Sequence, residues 1–198
     1  MTAPWGATKL SAALRWAERG WKVFPLVPGT KVPYGGTRGH LDATSDLAEI
    51  ARLWGLHPEA NIGGCTEDRV VIDADLYKDG AQESLQQLGQ ELGPLPETLT
   101  HQTGRGGLQY VFGQNGNPIE GRANIRPGVD TRANGNYIAL PPSILDDGGG
   151  YPLIDGGLYQ VAIDAEPAVI PERWESYLAA PGRGQRRPAD PGGSPPRG

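Results

Sequence analysis

Residues 69–75, Arg69-Val70-Val71-Ile72-Asp73-Ala74-Asp75, decide how the rest of the chain is read. Three consecutive β-branched residues predict a buried strand, and two aspartates follow at its end. Alternate residues of a strand face the same side, so the two carboxylates project together. At that distance they repel, and a divalent cation allows both to stay ionised. Oxygen-only donors suit Mg2+ or Mn2+. The competing reading is a strand that ends in polar residues at the solvent.

Upstream, Leu10, Ala13, Leu14 and Ala17 recur at helical spacing and predict a helix over 8–19, with Gly20 as its C-cap glycine. Residues 21–26 follow as a short strand ended by Pro28-Gly29. A loop with Lys31, Pro33 and His40 leads to a helix through Trp54, capped by Thr44 and Ser45. Downstream, a helix over 79–92 stops at Gly93-Pro94. Strands then read over 98–103, 107–112, 128–132 and 136–140, the last two joined as a hairpin by a turn at Asn134-Gly135. Pro171 opens a final short helix bearing Trp174, Tyr177 and Leu178. Helices early and antiparallel strands late predict an α+β domain.

The chain holds 30 glycines and 19 prolines among 198 residues. That turn-rich composition is heaviest in the Pro/Gly/Arg-rich segment 181–198, which reads as a disordered tail or linker. Residues 1–180 form one globular domain, large enough for a real core. Net charge is −5 overall; the tail carries four arginines against one aspartate, so residues 1–180 stand at −8. Bulk positive charge as the means of nucleic-acid binding is thereby excluded, whereas a local basic groove or a metal-neutralised acidic cluster is not. One cysteine, Cys65, excludes an internal disulfide and a cysteine zinc cluster. No apolar run reaches a membrane span and no signal-peptide pattern opens the chain, so a soluble cytoplasmic protein is expected.

Other residues carry weaker chemical signals. Asp130, in Gly128-Val129-Asp130-Thr131-Arg132, sits on an expected strand with Arg132 on the same face. It is either a third carboxylate of a two-metal site or half of an edge-strand salt bridge. Thr103-Gly104-Arg105-Gly106-Gly107 is a glycine-rich loop that lets backbone approach phosphate, or simply a tight turn. Lys31 is a lone cation on a constrained loop. Arg105, Arg122, Arg126 and Arg132 could line a groove for nucleic acid, or be ordinary surface charge.

In order, the segments GWKVFPLVPGTKVP, NIGGCTEDRVVIDAD, TGRGGLQYVF and GVDTRANGNYIALPPS resemble those of bifunctional DNA primase/polymerase N-terminal domains, of the archaeo-eukaryotic primase superfamily. The resemblance spans roughly residues 12–143. It implies an α/β unit packed on an RRM-like antiparallel sheet, with the active site between them. It implies template-directed nucleotidyl transfer with two Mg2+ or Mn2+ ions in plasmid, phage or mobile-element replication. Asp73, Asp75 and Asp130 match the family's acidic motifs and become the metal ligands and catalytic residues. Lys31, Thr103, Gly106, Gly107, Gln109 and Arg132 become contacts to nucleotide. Nucleoside triphosphates, single-stranded DNA template and primer, and a helicase supplied as another domain or protein are the partners it suggests.

One departure bears on activity. The family's middle motif reads Gly-Gly-x-His, and here Gly106-Gly107-Leu108 is followed by Gln109. Glutamine donates a hydrogen bond but carries no charge and transfers no proton. Rescue by His101 on a neighbouring strand is one option. A weakened domain that binds nucleotide or single-stranded DNA is the alternative function. A haloacid-dehalogenase-like phosphatase, suggested by VVIDAD alone, is a remote one, since Tyr77 and the absence of a distant downstream lysine depart from that chemistry.

Overall fold

The run that opens the sequence reading becomes β3, Arg69–Ala74, in the interior of the larger of two sheets. A computed structural model describes residues 8–116 and 118–180. The Pro/Gly/Arg-rich tail at 181–198 lies outside the described residues.

The smaller sheet has three antiparallel strands. They are β1 (Val23–Leu26), β2 (Asn61–Cys65) and β8 (Tyr137–Leu140), in the order β1-β2-β8. Helices α1 (Lys9–Glu18) and α2 (Leu47–Leu56) pack with it. The larger sheet runs β6-β7-β3-β5-β4-β9. Its members are β4 (Thr100–Gln102), β5 (Leu108–Gly113), β6 (Arg122–Arg126), β7 (Val129–Arg132) and β9 (Gln160–Ile163), with a two-residue β10 (Ala168–Val169) parallel to β5. Helix α3 (Ala81–Leu92) and helix α4 (Glu172–Ala179) complete the α+β fold.

Strand alternation divides the core. Val71 and Val111 face the small-sheet layer and join Trp16, Trp21, Ile50, Trp54 and Ile62. Val70, Ile72, Phe112 and Val129 face the other way, onto Leu88, Trp174 and Leu178 of α3 and α4. Period-two alternation thus buries both faces of β3, the expected consequence of an apolar run covered on each side. The Gly63-Gly64 pair of β2 clears space for large neighbours. A Cβ at Gly63 would stand 2.6 Å from the Phe24 ring, and one at Gly64 would stand 2.5 Å from Leu140 and 2.7 Å from Trp21.

The expected helices and core strands are present, with three differences. Helix α2 is capped by Asp46, whose side chain accepts the Glu49 amide at 2.8 Å, not by Thr44 or Ser45. Thr44 instead exchanges backbone hydrogen bonds with Val23. Strands β2, β6, β9 and β10 have no counterpart in the sequence reading. Most consequentially, the turn at Asn134-Gly135 does not close a hairpin. β7 pairs with β3 and β6, whereas β8 pairs with β2, so this turn carries the chain from one sheet to the other. It does so at the mouth of the cleft between them, which Gly135, Asn136 and Tyr137 line.

Candidate active site

Register brings the polar residues of the large sheet into one row. Asp73 lies directly opposite Gln109 of β5 on one side and Asp130 of β7 on the other. Gln109 in turn lies opposite His101 of β4. Directly opposed residues in an antiparallel sheet share a face. The row Asp130–Asp73–Gln109–His101 therefore crosses four strands on the face turned to the small sheet, where Val71 packs.

Two adjoining hollows open on this row. One is a cleft of about 260 Å³ lined by Lys31, His40, Asp73, Gln109, Arg132 and the segment 135–139. The other is a recess of about 10 Å³, room for a single water or ion, among Asp73, Asp75, Thr103, Gln109 and Tyr159. Lys31, Asp73 and Gln109 belong to both.

The three carboxylates are held differently. Asp73 is only 14% exposed, and Arg132 Nε stands 3.8 Å from its Oδ2. Burial first, and the negative charge of Asp75 second, push its carboxyl up to about 6, against the opposing pull of Arg132 and Lys31. Asp75 follows the end of β3, its amide donating to Gly128 O at 2.8 Å. Its Oδ1 accepts from Tyr77 Oη at 2.9 Å and its Oδ2 from Lys78 Nζ at 2.6 Å. Asp130 accepts the Asn124 amide at 2.7 Å on Oδ1 and Arg132 Nη2 at 2.9 Å on Oδ2. The Asp130–Arg132 pair is thus formed, on an interior strand and not at a sheet edge.

These donors suit a hard divalent cation in part. Asp73 and Asp75 present oxygen ligands to one ion-sized recess, and Asp73 is a partly buried carboxylate pushed upward by burial and by the charge of Asp75. Asp130 is engaged elsewhere, and among the described residues no three acidic, histidine or cysteine side chains converge as a metal-holding group.

The glycine-rich loop is shaped by its own packing. Gly106 adopts φ +84° and donates to Thr103 O at 2.9 Å, and Thr103 Oγ1 accepts the Gly107 amide at 3.0 Å. A Cβ on Gly104 would stand 2.3 Å from Gly157 O, and one on Gly107 would stand 2.8 Å from Ala74 O. Thr103 and Arg105 reach the recess; Gly106 and Gly107 do not line it. Of the four arginines read as a groove, Arg105 and Arg132 line the hollows. Arg122 instead donates to Tyr177 O and Ala180 O at the end of α4, and Arg126 pairs with Glu91 and Tyr177 Oη. Those two fasten α3 and α4 to the far side of the sheet, because they alternate onto the opposite face.

Sequence reasoning missed Tyr77, Lys78, Tyr137 and Tyr159. Only Tyr77 and Lys78 carried a local signal, standing two and three residues after Asp75. Tyr159 is 2% exposed, and burial together with the charge of Asp73 raises its phenol above the usual range.

His101 is wholly buried, its ring edge-on to Trp16 at a centroid distance of 5.2 Å. Burial, reinforced by Arg19 and opposed by Gln109, pushes it down to about 3. Its folded value is depressed below 6.5, so below pH 6.5 the unfolded chain binds a proton that the folded chain does not. Stability is expected to fall as pH drops from 6.5 toward about 3. Asp73, raised from 3.8, acts in the opposite sense between about 4 and 6. Subtracting melting curves of His101→Phe from those of the wild type isolates the histidine contribution; equal pH slopes would refute it.

No curated protein matches the chain. A family model does, running from within α1 to the start of α4 and thus covering both sheets and every residue of the polar row. Through that match over residues 13–173, the chain belongs to the bifunctional DNA primase/polymerase N-terminal family, whose activity is primase and polymerase nucleotidyl transfer.

Proposed function

We propose that this chain carries out template-directed nucleotidyl transfer, as a DNA primase/polymerase, in the cleft between its two sheets. The observation that carries the reading is that Asp73 and Gln109, paired across β3 and β5, line that cleft, with Asp75 in the adjoining recess, in a chain of this family. Asp73 and Asp75 would hold Mg2+ or Mn2+, and Asp130 would serve as the third carboxylate on release from Arg132. Bound there, the two ions supply activation of a primer 3′-hydroxyl and neutralise charge on the leaving pyrophosphate.

The chain's own residues bind and orient. Lys78, whose Nζ stands 2.6 Å from Asp75 Oδ2, would cede that oxygen to a bound cation. Lys31, Arg132 and Gln109 face the same hollow and supply donors for the triphosphate, while Thr103 and Arg105 close the recess behind it. Residues 137–139 of β8 close the cleft on the side of the small sheet. Single-stranded template and primer enter along this cleft, in the setting of mobile-element replication, with a helicase furnished separately.

Primer extension on single-stranded template with Mg2+ or Mn2+ tests the reading. Incorporation that disappears in Asp75→Asn supports it. A second reading, a nucleotide-binding domain that turns over weakly, is favoured by Gln109 and by the full engagement of Asp130 with Arg132 and Asn124. Nucleotide binding without incorporation would select it.

A further inference from the structure

Gln109 is 4% exposed, and its Oε1 is fully buried without a hydrogen-bond donor. Next to it in the row, Nδ1 and Nε2 of His101 are also buried and unpartnered. Three unsatisfied polar atoms on adjoining side chains call for an explanation, since buried polar atoms are nearly always paired. A neutral imidazole has one N–H donor and one bare nitrogen. Donated to Gln109 Oε1, that N–H pairs two of the three atoms, leaving one bare ring nitrogen, and fixes the oxygen as the inward end of the amide. The Nε2 N–H bonds are then left for the hollow that Gln109 shares with Lys31 and Asp73. Trp16 braces the imidazole against rotation, its ring meeting that of His101 at 71°.

We infer that His101 is a positioning residue that holds Gln109 as a neutral hydrogen-bond donor toward an anionic group in the cleft. Resting on the nucleotide-binding reading above, the inference assigns that group as a phosphate of the bound nucleotide. Recognition at this point then depends on two side chains from neighbouring strands, not on one charged imidazole.

Calorimetric titration of the full chain with dATP and Mg2+ tests it. Gln109→Leu and His101→Phe are each expected to weaken binding about tenfold, the loss of one hydrogen bond to a charged acceptor. The double variant is expected to bind no more weakly than either single one, because the histidine acts through the glutamine. His101→Asn, which retains a donor, is expected to stay within about threefold of the wild type. Additive losses, or undiminished binding by His101→Phe, overturn the inference and leave nucleotide binding intact. Absence of dATP binding by the wild-type chain overturns both. Should His101→Phe fail to fold, nitrogen-15 spectra of the wild-type imidazole decide. A protected side-chain N–H that shifts on dATP binding supports the role, and an imidazole indifferent to dATP overturns it.

Discussion

Asp73→Asn is expected to lower templated incorporation at least about 1,000-fold, equivalent to roughly 4 kcal/mol of transition-state stabilisation. The substitution preserves shape and removes charge at the residue common to both hollows and central in the polar row. No neighbouring carboxylate replaces it, because Asp75 is engaged by Tyr77 and Lys78 and Asp130 by Arg132. The same change is expected to stabilise the metal-free protein at pH 7. The Asp73 carboxyl is raised to about 6 in the fold from 3.8, so its contribution to stability is complete below pH 3.8 and is lost as pH rises through 6. Asparagine has no charge to bury. Extension rates and melting temperatures in EDTA at pH 5 and 7 give both numbers. A variant extending primer within tenfold of the wild type would remove Asp73 from the reaction.

Trp16→Ala is expected to cost about 3–5 kcal/mol of stability and to lower the melting temperature by on the order of 10 °C. Trp16 is fully buried on α1, its ring edge-on to Trp21 at 5.9 Å and to His101 at 5.2 Å. Its Nε1–H donates to Pro141 O at 2.6 Å, so truncation opens a cavity and strips a buried carbonyl of its donor. A melting curve checks the value; a drop of only one or two degrees would show that the helical layer repacks without this anchor.

Much of this could be read from local sequence. The strand Arg69–Ala74 showed itself by its β-branched run, and α1 by its spacing, with Thr8 as N-cap and Gly20 at φ +79° beyond its end. The acidic pair, Lys31 and Gln109 all line one site. What local pattern does not encode is partner choice. Asn134-Gly135 has hairpin chemistry, yet the strands it joins find better-buried partners in different sheets. Strand β6, Arg-Ala-Asn-Ile-Arg, lacks alternation because much of it is exposed, and β9 is an edge with two exposed residues. The roles of Arg122 and Arg126 depend on helix carbonyls and a tyrosine more than 50 residues away in sequence. The placement of His101 on the strand beside Gln109, by contrast, was legible, and register sets the two directly opposite.

The sheet-switching turn also has a kinetic consequence. β2 has its partner β1 upstream, but the partner of its other edge, Tyr137–Leu140, lies far downstream, as Val129–Arg132 does for β3. Such sequence-distant pairings slow folding, and during synthesis they leave open strand edges exposed to neighbouring chains. A nascent chain that has emerged only as far as Asn134 holds both aspartates of β3 and its flanking segment but no cleft. The wider cleft therefore gains its last wall late in translation, when one short turn delivers the closing strand of the small sheet, and the recess beside it later still, with Tyr159.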